Sequence, residues 1–199
     1  MPPLITWLVR HGQSTANAGI TSVDNEKVTL TELGFQQSAE LALRLVNEPN
    51  LLIVSPFLRT QLTAEAIRCK WPTVPYEIWP IHEFSYLDAE KCKNTSVMTR
   101  RPWVESYWQR GDPEYVDGPG AESFESFMRR LSVFDERLMA MSCDFVVVVG
   151  HGQFIRAYLE CRKSGFTSSP QVMNHFRSNE MLHPVANTEV IELLSGEQL

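Results

Sequence analysis

Five consecutive apolar residues, Phe145-Val146-Val147-Val148-Val149, follow Asp144. β-Branched residues favour strands, and an unbroken apolar run of this length is typical of a central parallel strand that helices cover on both faces. The run ends at once in Gly150-His151-Gly152, which places a titratable side chain at the carboxyl end of a buried strand. Parallel strands require crossover connections, usually helices, so this run predicts an α/β domain.

A second strand with the same ending lies near the N-terminus. Its apolar residues, from Ile5 to Val9, run directly into Arg10-His11-Gly12. Because ligands in open α/β sheets bind beyond the carboxyl ends of the strands, His11 and His151 are predicted to face one crevice. Arg10 carries a rigid fork of donors suited to phosphate or carboxylate oxygens, and Gly12 lets the backbone turn sharply beside a ligand.

The other predicted strands and helices alternate along the chain. Helices are predicted at 31 to about 46, 56 to about 68, 123–141 and 153 to about 162, and strands at 51–54, 76–79 and 189–194. Ser55 is predicted to cap the second helix, with Pro56 in its first position. The tract 80–120 has weak periodicity and is predicted to be an insertion over one end of the sheet.

These elements predict one three-layer α/β/α sandwich domain over residues 1–199, with a mostly parallel central sheet. The insertion at 80–120 would cover the active site as a lid or specificity element. Within it, Arg100, Arg101 and Arg110 could reach a second anionic group of a substrate, but a solvated face is the favoured interpretation. The aromatic residues of the same tract either line the mouth of the pocket or form a small core of the insertion: Tyr86, Trp103, Tyr107 and Trp108.

Arg59 lies in the first turn of the helix that follows the second strand. Free backbone N–H groups and the helix dipole already favour an anion there. With Arg10, His11 and His151, it would form a cationic pocket in a chain whose formal net charge is -6. That net charge argues against nucleic acid or an anionic membrane surface as the main partner, so the attraction for a small anion is predicted to be local.

Hydropathy and cysteine spacing narrow the function classes further. No apolar run in the sequence approaches the length of a membrane span, and the first residues lack the pattern of a signal peptide, so the cytoplasm is the expected compartment. The 4 cysteines are widely spaced, and no histidine and carboxylate cluster has metal-ligand spacing. No metal or other cofactor is therefore expected, and the oligomeric state stays open, a homodimer included.

Several motifs together carry a resemblance to a known family. In chain order they are Leu8-Val9-Arg10-His11-Gly12 with Ser14 and Asn17, Ser55-Pro56 with Arg59-Thr60 and Thr63-Ala64, Glu83, Gly120-Ala121-Glu122-Ser123 with Phe127 and Arg130, and Val148-Val149-Gly150-His151-Gly152. This pattern resembles the histidine phosphatase superfamily, also called the phosphoglycerate-mutase-like family, over nearly the whole chain. Gln13 stands where many members have glutamate, and the tract 84–118 matches no subfamily pattern.

The resemblance implies a metal-independent phosphomonoesterase that acts on small phosphorylated metabolites and releases inorganic phosphate. His11 would attack phosphorus as a neutral imidazole and form a phosphohistidine, which water would then hydrolyse. Glu83 would protonate the leaving oxygen and afterwards activate the water. The resemblance further implies that the phosphoryl oxygens are held by Arg10, Gly12, Asn17, Arg59, His151, Gly152 and Gln153.

Three other functions stay open beside this one. A mutase would return the phosphoryl group to a bound product, but phosphoglycerate mutases of this family are longer and carry an arginine-rich insert, whereas Glu83 is followed here by Phe84-Ser85-Tyr86-Leu87-Asp88. An open pocket with little aromatic cover would favour a phosphoprotein phosphatase that acts on phosphohistidine or phosphotyrosine. A non-catalytic binder of phosphorylated ligands would usually lack one of the catalytic residues, all of which are present.

Overall fold

A computed structural model describes residues 4–21 and 24–194, and that part of the chain is built on one sheet. The strands of the described part are β1 Ile5–Arg10, β2 Leu51–Val54, β3 Tyr76–Ile78, β4 Phe145–Gly150 and β5 Val190–Leu194. They lie in the order β3-β2-β4-β1-β5. Neighbouring strands are parallel except for β5, which is antiparallel to β1. The predicted mostly parallel sheet is therefore confirmed.

The strand β4 lies at the centre of the sheet, as its apolar run predicts. It pairs with β1 on one side and β2 on the other, and the side chains of Val146, Val147, Val148 and Val149 are all buried. The β1–β4 register sets Arg10 opposite Gly150. His11 and His151 consequently leave the sheet side by side, at the carboxyl end of two adjacent strands.

Helices cover both faces of the sheet. The helices of the described residues are α1 Glu32–Arg44, α2 Leu58–Lys70, α3 Ala89–Cys92 and α4 Val97–Arg110, both in the insertion, α5 Phe124–Met139, α6 Gly152–Ser164 and α7 Pro170–Leu182. One apolar cluster joins α1 and α2 to strand residues such as Val147, and the other joins α5, α6 and α7 to residues such as Val148. The alternation of buried side chains between the two faces produces the predicted three-layer α/β/α arrangement.

The start of α2 differs from the prediction. Phe57, and not Ser55, is the N-cap residue, and Pro56 precedes the helix. The Ser55 hydroxyl accepts a hydrogen bond from the Phe57 backbone N–H at 3.2 Å and lies 2.8 Å from Nε2 of His151. The predicted cap is therefore wrong, because this hydroxyl serves the turn before the helix and a histidine from another strand.

Three helices are absent from the predictions above, namely α3, which has only 4 residues, α4 and α7. The helix α4 lies within the insertion, where Pro102 and a weak apolar pattern conceal it. The helix α7 buries only Met173 and Phe176, so its apolar face is too narrow to show clear periodicity. Its local signals were nevertheless present, since Ser169 caps the helix and Pro170 occupies its first turn.

The insertion is joined to the main core through Phe84. Its ring stacks on Phe127 with centroids 4.5 Å apart, and Tyr107 and Trp108 are buried beside it. Trp103 instead lies partly exposed under the ammonium group of Lys91. Tyr107 and Trp108 are thus core residues, as one of the two interpretations of this tract holds.

No helix in the described ranges is both long and apolar enough to cross a membrane. The expectation of a single domain over residues 1–199 stays a prediction, since positions 1–3, 22–23 and 195–199 lie outside the described residues.

Candidate active site

His11, Arg59 and His151 converge at the carboxyl end of the sheet. His11 follows β1, His151 follows β4, and Arg59 lies in the first turn of α2. All three side chains are buried, and the two imidazole centroids are 5.2 Å apart. The convergence that the strand endings predict is therefore observed.

The guanidinium group of Arg59 bridges the two imidazoles. Its Nε donates to Nε2 of His11 at 3.1 Å, and its Nη2 lies 3.2 Å from Nδ1 of His151. Arginine has no acceptor, so each of these ring nitrogens presents a lone pair. Arg59 thus fixes the orientation and the tautomer of both histidines.

The opposite ring nitrogens carry the protons. Nδ1 of His11 donates to the backbone carbonyl of Gly12 at 2.7 Å, because a carbonyl oxygen can only accept. Nε2 of His151 lies 2.8 Å from the Ser55 hydroxyl and, in the neutral ring, donates to it. The result is a His11 imidazole with an unprotonated Nε2, which is the atom a nucleophile requires.

Electrostatics favour the neutral form of both rings. Burial, and next the positive charge of Arg59, hold the pKa of His11 well below its ordinary value of 6.5. The same two causes lower the pKa of His151. Burial lowers the pKa of Arg59 itself to about 10, so this side chain stays charged at neutral pH. A charged arginine between two uncharged imidazoles is the stable state of this cluster at pH 7.

The backbone around His11 is held from two sides. The N–H of Gly12 donates to Oγ1 of Thr63 at 3.0 Å, and that hydroxyl donates to the carbonyl of Arg59 at 2.7 Å. The side-chain amide of Asn187 donates to the carbonyl of His11 at 2.8 Å. Both bonds are to the peptide group between His11 and Gly12, so the backbone beside the imidazole is fixed, which is the preorganisation that a reacting side chain requires.

Arg10 presents a free donor to the same crevice. Its Nη1 donates to the carbonyl of Val185 at 2.6 Å, which anchors the guanidinium. Its Nε is buried and has no hydrogen-bond partner within the described residues. This Nε lies beside Gly152, at the N-terminus of α6, where a Cβ atom would come within 3.4 Å of it. The pocket therefore holds an unsatisfied donor at a helix N-terminus, an arrangement suited to an anion.

Glu83 lies at the same N-terminus. One of its carboxylate oxygens accepts the backbone N–H groups of Gln153 and Phe154, at 3.1 and 3.3 Å. Desolvation raises the pKa of Glu83, while the charges of Arg59 and Arg10 oppose that rise. A carboxyl group in such a balance can hold a proton and also give it up, which is what a general acid and base requires.

The remaining residues predicted to bind phosphate occupy the edge of this cluster. Asn17 is exposed, and its Oδ1 accepts from the backbone N–H of Ser14 at 3.1 Å, closing the turn after His11. The N–H of Gln153 is engaged by Glu83. Contacts of Gly12, Asn17, Gly152 and Gln153 with phosphate stay predictions.

Sequence reasoning assigned no place in the site to several residues that support it. Ser55 and Thr63 belong to the motif around Arg59, so the signal for them was present but their partners were not visible. Asn25, whose carbonyl accepts from Nη1 of Arg59 at 2.8 Å, and Asn187 lie in loops without any pattern. Across the described positions, no group of three or more His, Cys, Asp or Glu residues could hold a metal ion.

Comparisons with known proteins agree with this geometry. The model of the family described as "Histidine phosphatase superfamily (branch 1)" matches residues 6–176. The adenosylcobalamin/α-ribazole phosphatase of Salmonella typhi is 30% identical over 154 residues, which is 73% of this chain and 72% of that protein. The protein of the same name from Escherichia coli (strain K12) is 27% identical over 177 residues, 87% of this chain and 85% of the relative.

Solved structures share the fold. The α-ribazole phosphatase from Shigella flexneri superimposes with a TM-score of 0.68 at 24% identity, covering 92% of this chain and 87% of that one. A mycobacterial glucosyl-3-phosphoglycerate phosphatase superimposes with a TM-score of 0.71 at 20% identity, covering 96% and 89%. At these identities the likeness establishes the architecture alone.

Proposed function

The chain belongs to the histidine phosphatase superfamily and is an enzyme that hydrolyses phosphate esters; from this we propose that it is a metal-independent phosphomonoesterase of small phosphorylated metabolites, working through a phosphohistidine at His11. The observation that carries the proposal is the bridge from Arg59 to the two imidazoles. It presents Nε2 of His11 unprotonated beside a charged donor that can turn to a phosphoryl oxygen.

In the first step, the lone pair on Nε2 of His11 attacks phosphorus and the bond from phosphorus to the ester oxygen breaks. The leaving oxygen takes a proton from the carboxyl group of Glu83, so an alcohol departs and Glu83 becomes a carboxylate. The raised pKa of Glu83 supports its starting protonated form. Nearby positive charge then favours the carboxylate that this step produces.

In the second step, the Glu83 carboxylate takes a proton from water as the water oxygen attacks phosphorus. The bond between Nε2 and phosphorus breaks, inorganic phosphate forms, and His11 returns to its neutral state. The N–H groups of Gln153 and Phe154 keep the Glu83 carboxylate in place between the two steps. Protons and electron pairs balance over the cycle without a metal ion.

Three side chains would stabilise the charge on the transferred group. Arg10 offers its unpaired Nε, Arg59 its two inward-facing nitrogens, and His151 becomes a donor if it takes up a proton beside the phosphoryl oxygens. Preorganised donors of this kind contribute on the order of 3–4 kcal/mol each in the transition state. Their removal should therefore reduce kcat strongly.

The test is to trap the intermediate. A substrate labelled with radioactive phosphate is mixed with the enzyme in excess chelator, quenched in base, and separated from free phosphate. The proposal expects acid-labile, base-stable label on the wild-type protein and none on His11→Ala, with His183→Ala, an exposed histidine, as the matched control. Label on His11→Ala, or turnover that needs a divalent metal, would overturn the mechanism.

The names of the curated relatives suggest where to begin with substrates. Those relatives are called adenosylcobalamin/α-ribazole phosphatases, so α-ribazole phosphate belongs in the first panel together with sugar phosphates, phosphoglycerates and phosphoamino acids. The panel includes an exchange assay primed with bisphosphoglycerate, since phosphoryl return to a bound product would identify a mutase. We expect hydrolysis to dominate and exchange to be undetectable.

A further inference from the structure

A cavity of about 850 Å³ adjoins the catalytic cluster. Phe57 lies in its wall, and the ring of Phe57 is 5.2 Å from that of His151 and 4.9 Å from Cζ of Arg59. Asn25, which accepts the hydrogen bond from Arg59, lines it as well. The cavity thus continues outward from the residues proposed to hold the phosphoryl group, in the volume range of pockets for small organic ligands.

Residues of the insertion line the same cavity as the loop around Asn25. Its helix α4 presents Val97, Arg100 and Val104 to the cavity, which lie about one turn apart on one face of the helix. Phe84 and Leu87 add apolar surface next to them. A ligand in this space would meet mainly aliphatic and aromatic side chains, with a guanidinium group among them.

Arg100 is partly buried, which contradicts the prediction that all three arginines of the insertion are solvated. Arg101 and Arg110 are exposed, and Arg101 pairs with Glu105 at 2.8 Å. Arg100 differs because it occupies the inward face of α4. Its Nε reaches the carbonyl of Ser96 at 3.4 Å, which holds the stem of the side chain against the helix.

The charge of Arg100 has no carboxylate within ion-pair distance among the described residues. The other cations of the cavity differ, since Lys27 pairs with Asp24 at 3.2 Å and Lys93 with Glu90 at 2.6 Å. The thiol of Cys92 lies beside Arg100, but burial raises the pKa of that thiol, so it stays neutral and does not offset the charge.

Two acidic residues also line the cavity, and they limit which ligand fits. Asp24 is engaged by Lys27, and Glu26 is exposed on the loop that carries Asn25. Negative charge on a ligand is therefore favoured near α4 and disfavoured near the loop. The placement of charge is asymmetric within one pocket.

We propose that Arg100 forms a second anion subsite, and that the substrates are phosphate monoesters whose apolar body carries a carboxylate or second phosphate at the end remote from the ester. The inference rests on the proposed phosphatase function and deepens it. A guanidinium group suits such a group because it offers parallel donors in a rigid plane.

The test uses phenyl phosphate and biphenyl-4-yl phosphate, each with and without a carboxylate on the carbon remote from the ester. The ratio of kcat/KM for the carboxylated and the parent ester is measured for wild type, Arg100→Met and Arg101→Met. The electronic effect of the carboxylate on the leaving group is the same for every variant. A change in the ratio therefore isolates the contact with Arg100.

We expect the ratio to fall about tenfold or more in Arg100→Met, the range for a lost charge-assisted hydrogen bond, and to keep its wild-type value in Arg101→Met. Arg100→Lys should retain part of the preference, because it keeps the charge without the fork. An equal ratio in wild type and Arg100→Met overturns the subsite while hydrolysis of the parent esters still supports the phosphatase. If the wild-type enzyme hydrolyses none of the four esters, both the subsite and the proposed phosphatase function are overturned.

Discussion

Glu122 and Arg130 form a two-point ion pair, with Nε and Nη2 of Arg130 at 2.9 and 2.7 Å from the two carboxylate oxygens of Glu122. The third nitrogen of the same guanidinium donates to the carbonyls of Pro80 and His82, at 2.9 and 2.8 Å. The backbone N–H of Glu122 donates to the carbonyl of Ser85 at 2.8 Å. The pair therefore holds backbone carbonyls before and after Glu83 without contacting its carboxylate.

Arg130→Lys should reduce kcat by about tenfold or more while KM changes little. Lysine keeps the charge, but it cannot pair with both oxygens of Glu122 and hold two carbonyls at once, so the loop that carries Glu83 loosens. The measurement is kcat as a function of pH at temperatures far below the thermal midpoint. Arg129→Lys is the matched control, since Arg129 is exposed and forms no more than a loose surface pair with Glu125, at 3.7 Å.

A purely structural role for Arg130 predicts another outcome. The thermal midpoint would fall, but kcat and the pH profile of the folded enzyme would stay those of wild type. That result would remove Arg130 from the positioning of Glu83.

Replacement of Glu83 by glutamine should separate substrates by their leaving groups. Glutamine is close in shape but cannot donate a carboxyl proton, so kcat/KM for alkyl phosphates is expected to fall roughly 10²–10⁴-fold. The kcat/KM for nitrophenyl phosphate should fall far less, because nitrophenolate departs without a proton. With nitrophenyl phosphate the phosphohistidine form of the variant should accumulate, since the variant also lacks the base for hydrolysis. Equal losses for both substrates would contradict the acid role.

The strand endings made the central cluster predictable from sequence. An apolar run that ends in histidine and glycine occurs twice, and parallel strands deliver their ends to one edge, so His11 and His151 had to meet if the two strands were neighbours. Arg59 was predicted to join them because it lies at a helix N-terminus, where an anion is favoured. For these residues, the local sequence pattern and the topology of the sheet predict the same cluster.

The supports of the cluster were not predictable in that way. Asn187 reaches His11 across a separation of 176 residues, and nothing in its neighbourhood marks it. The inward position of Arg100 depends on how α4 rotates against the core, which the packing of Tyr107 and Trp108 decides and periodicity does not show. Ser55 matched the rule for an N-cap but is used by His151, so a tertiary contact overrode a local preference.

The stability of the fold should decrease as the pH falls from 6.5 towards 4, in part through His82. This ring stacks on Phe57, and burial, followed by the charge of Arg130, lowers its pKa from 6.5 to about 4. Between these values the unfolded chain binds a proton that the native state does not, so the free energy of unfolding rises with pH. His11 and His151 act in the same direction, and Glu83, with its raised pKa, acts against them.

The contribution of His82 is isolated by comparison with His82→Gln, in which the other three groups remain. Denaturant unfolding at several pH values from 7 to 4 should show a shallower pH dependence for the variant. Parallel curves for the two proteins would mean that His82 takes up its proton equally in the folded and unfolded chains.

The contact between α1 and the loop after His11 leaves no room for a side chain at Gly34. A Cβ atom there would overlap the carbonyl oxygen of Gln13, which also accepts the N–H of Thr31 at 2.9 Å. Alanine inside a helix normally stabilises by about 1 kcal/mol relative to glycine, but overpacking costs typically 1–3 kcal/mol. Gly34→Ala should therefore destabilise the protein, opposite to the intrinsic helix propensity, and should lower kcat as the loop that carries His11 shifts.

Gly150→Ala is the matched control for this effect. Position 150 also lies next to a histidine of the cluster, His151, but the nearest atom to a new Cβ there, Cδ1 of Ile81, is 3.8 Å away, which is an ordinary contact. We expect Gly150→Ala to retain most of its activity and Gly34→Ala to lose more than tenfold, with thermal melts run on both variants. A stabilised and fully active Gly34→Ala would show that α1 can move away from the loop without disturbing His11, and that the close contact at Gly34 does not set the position of this side chain.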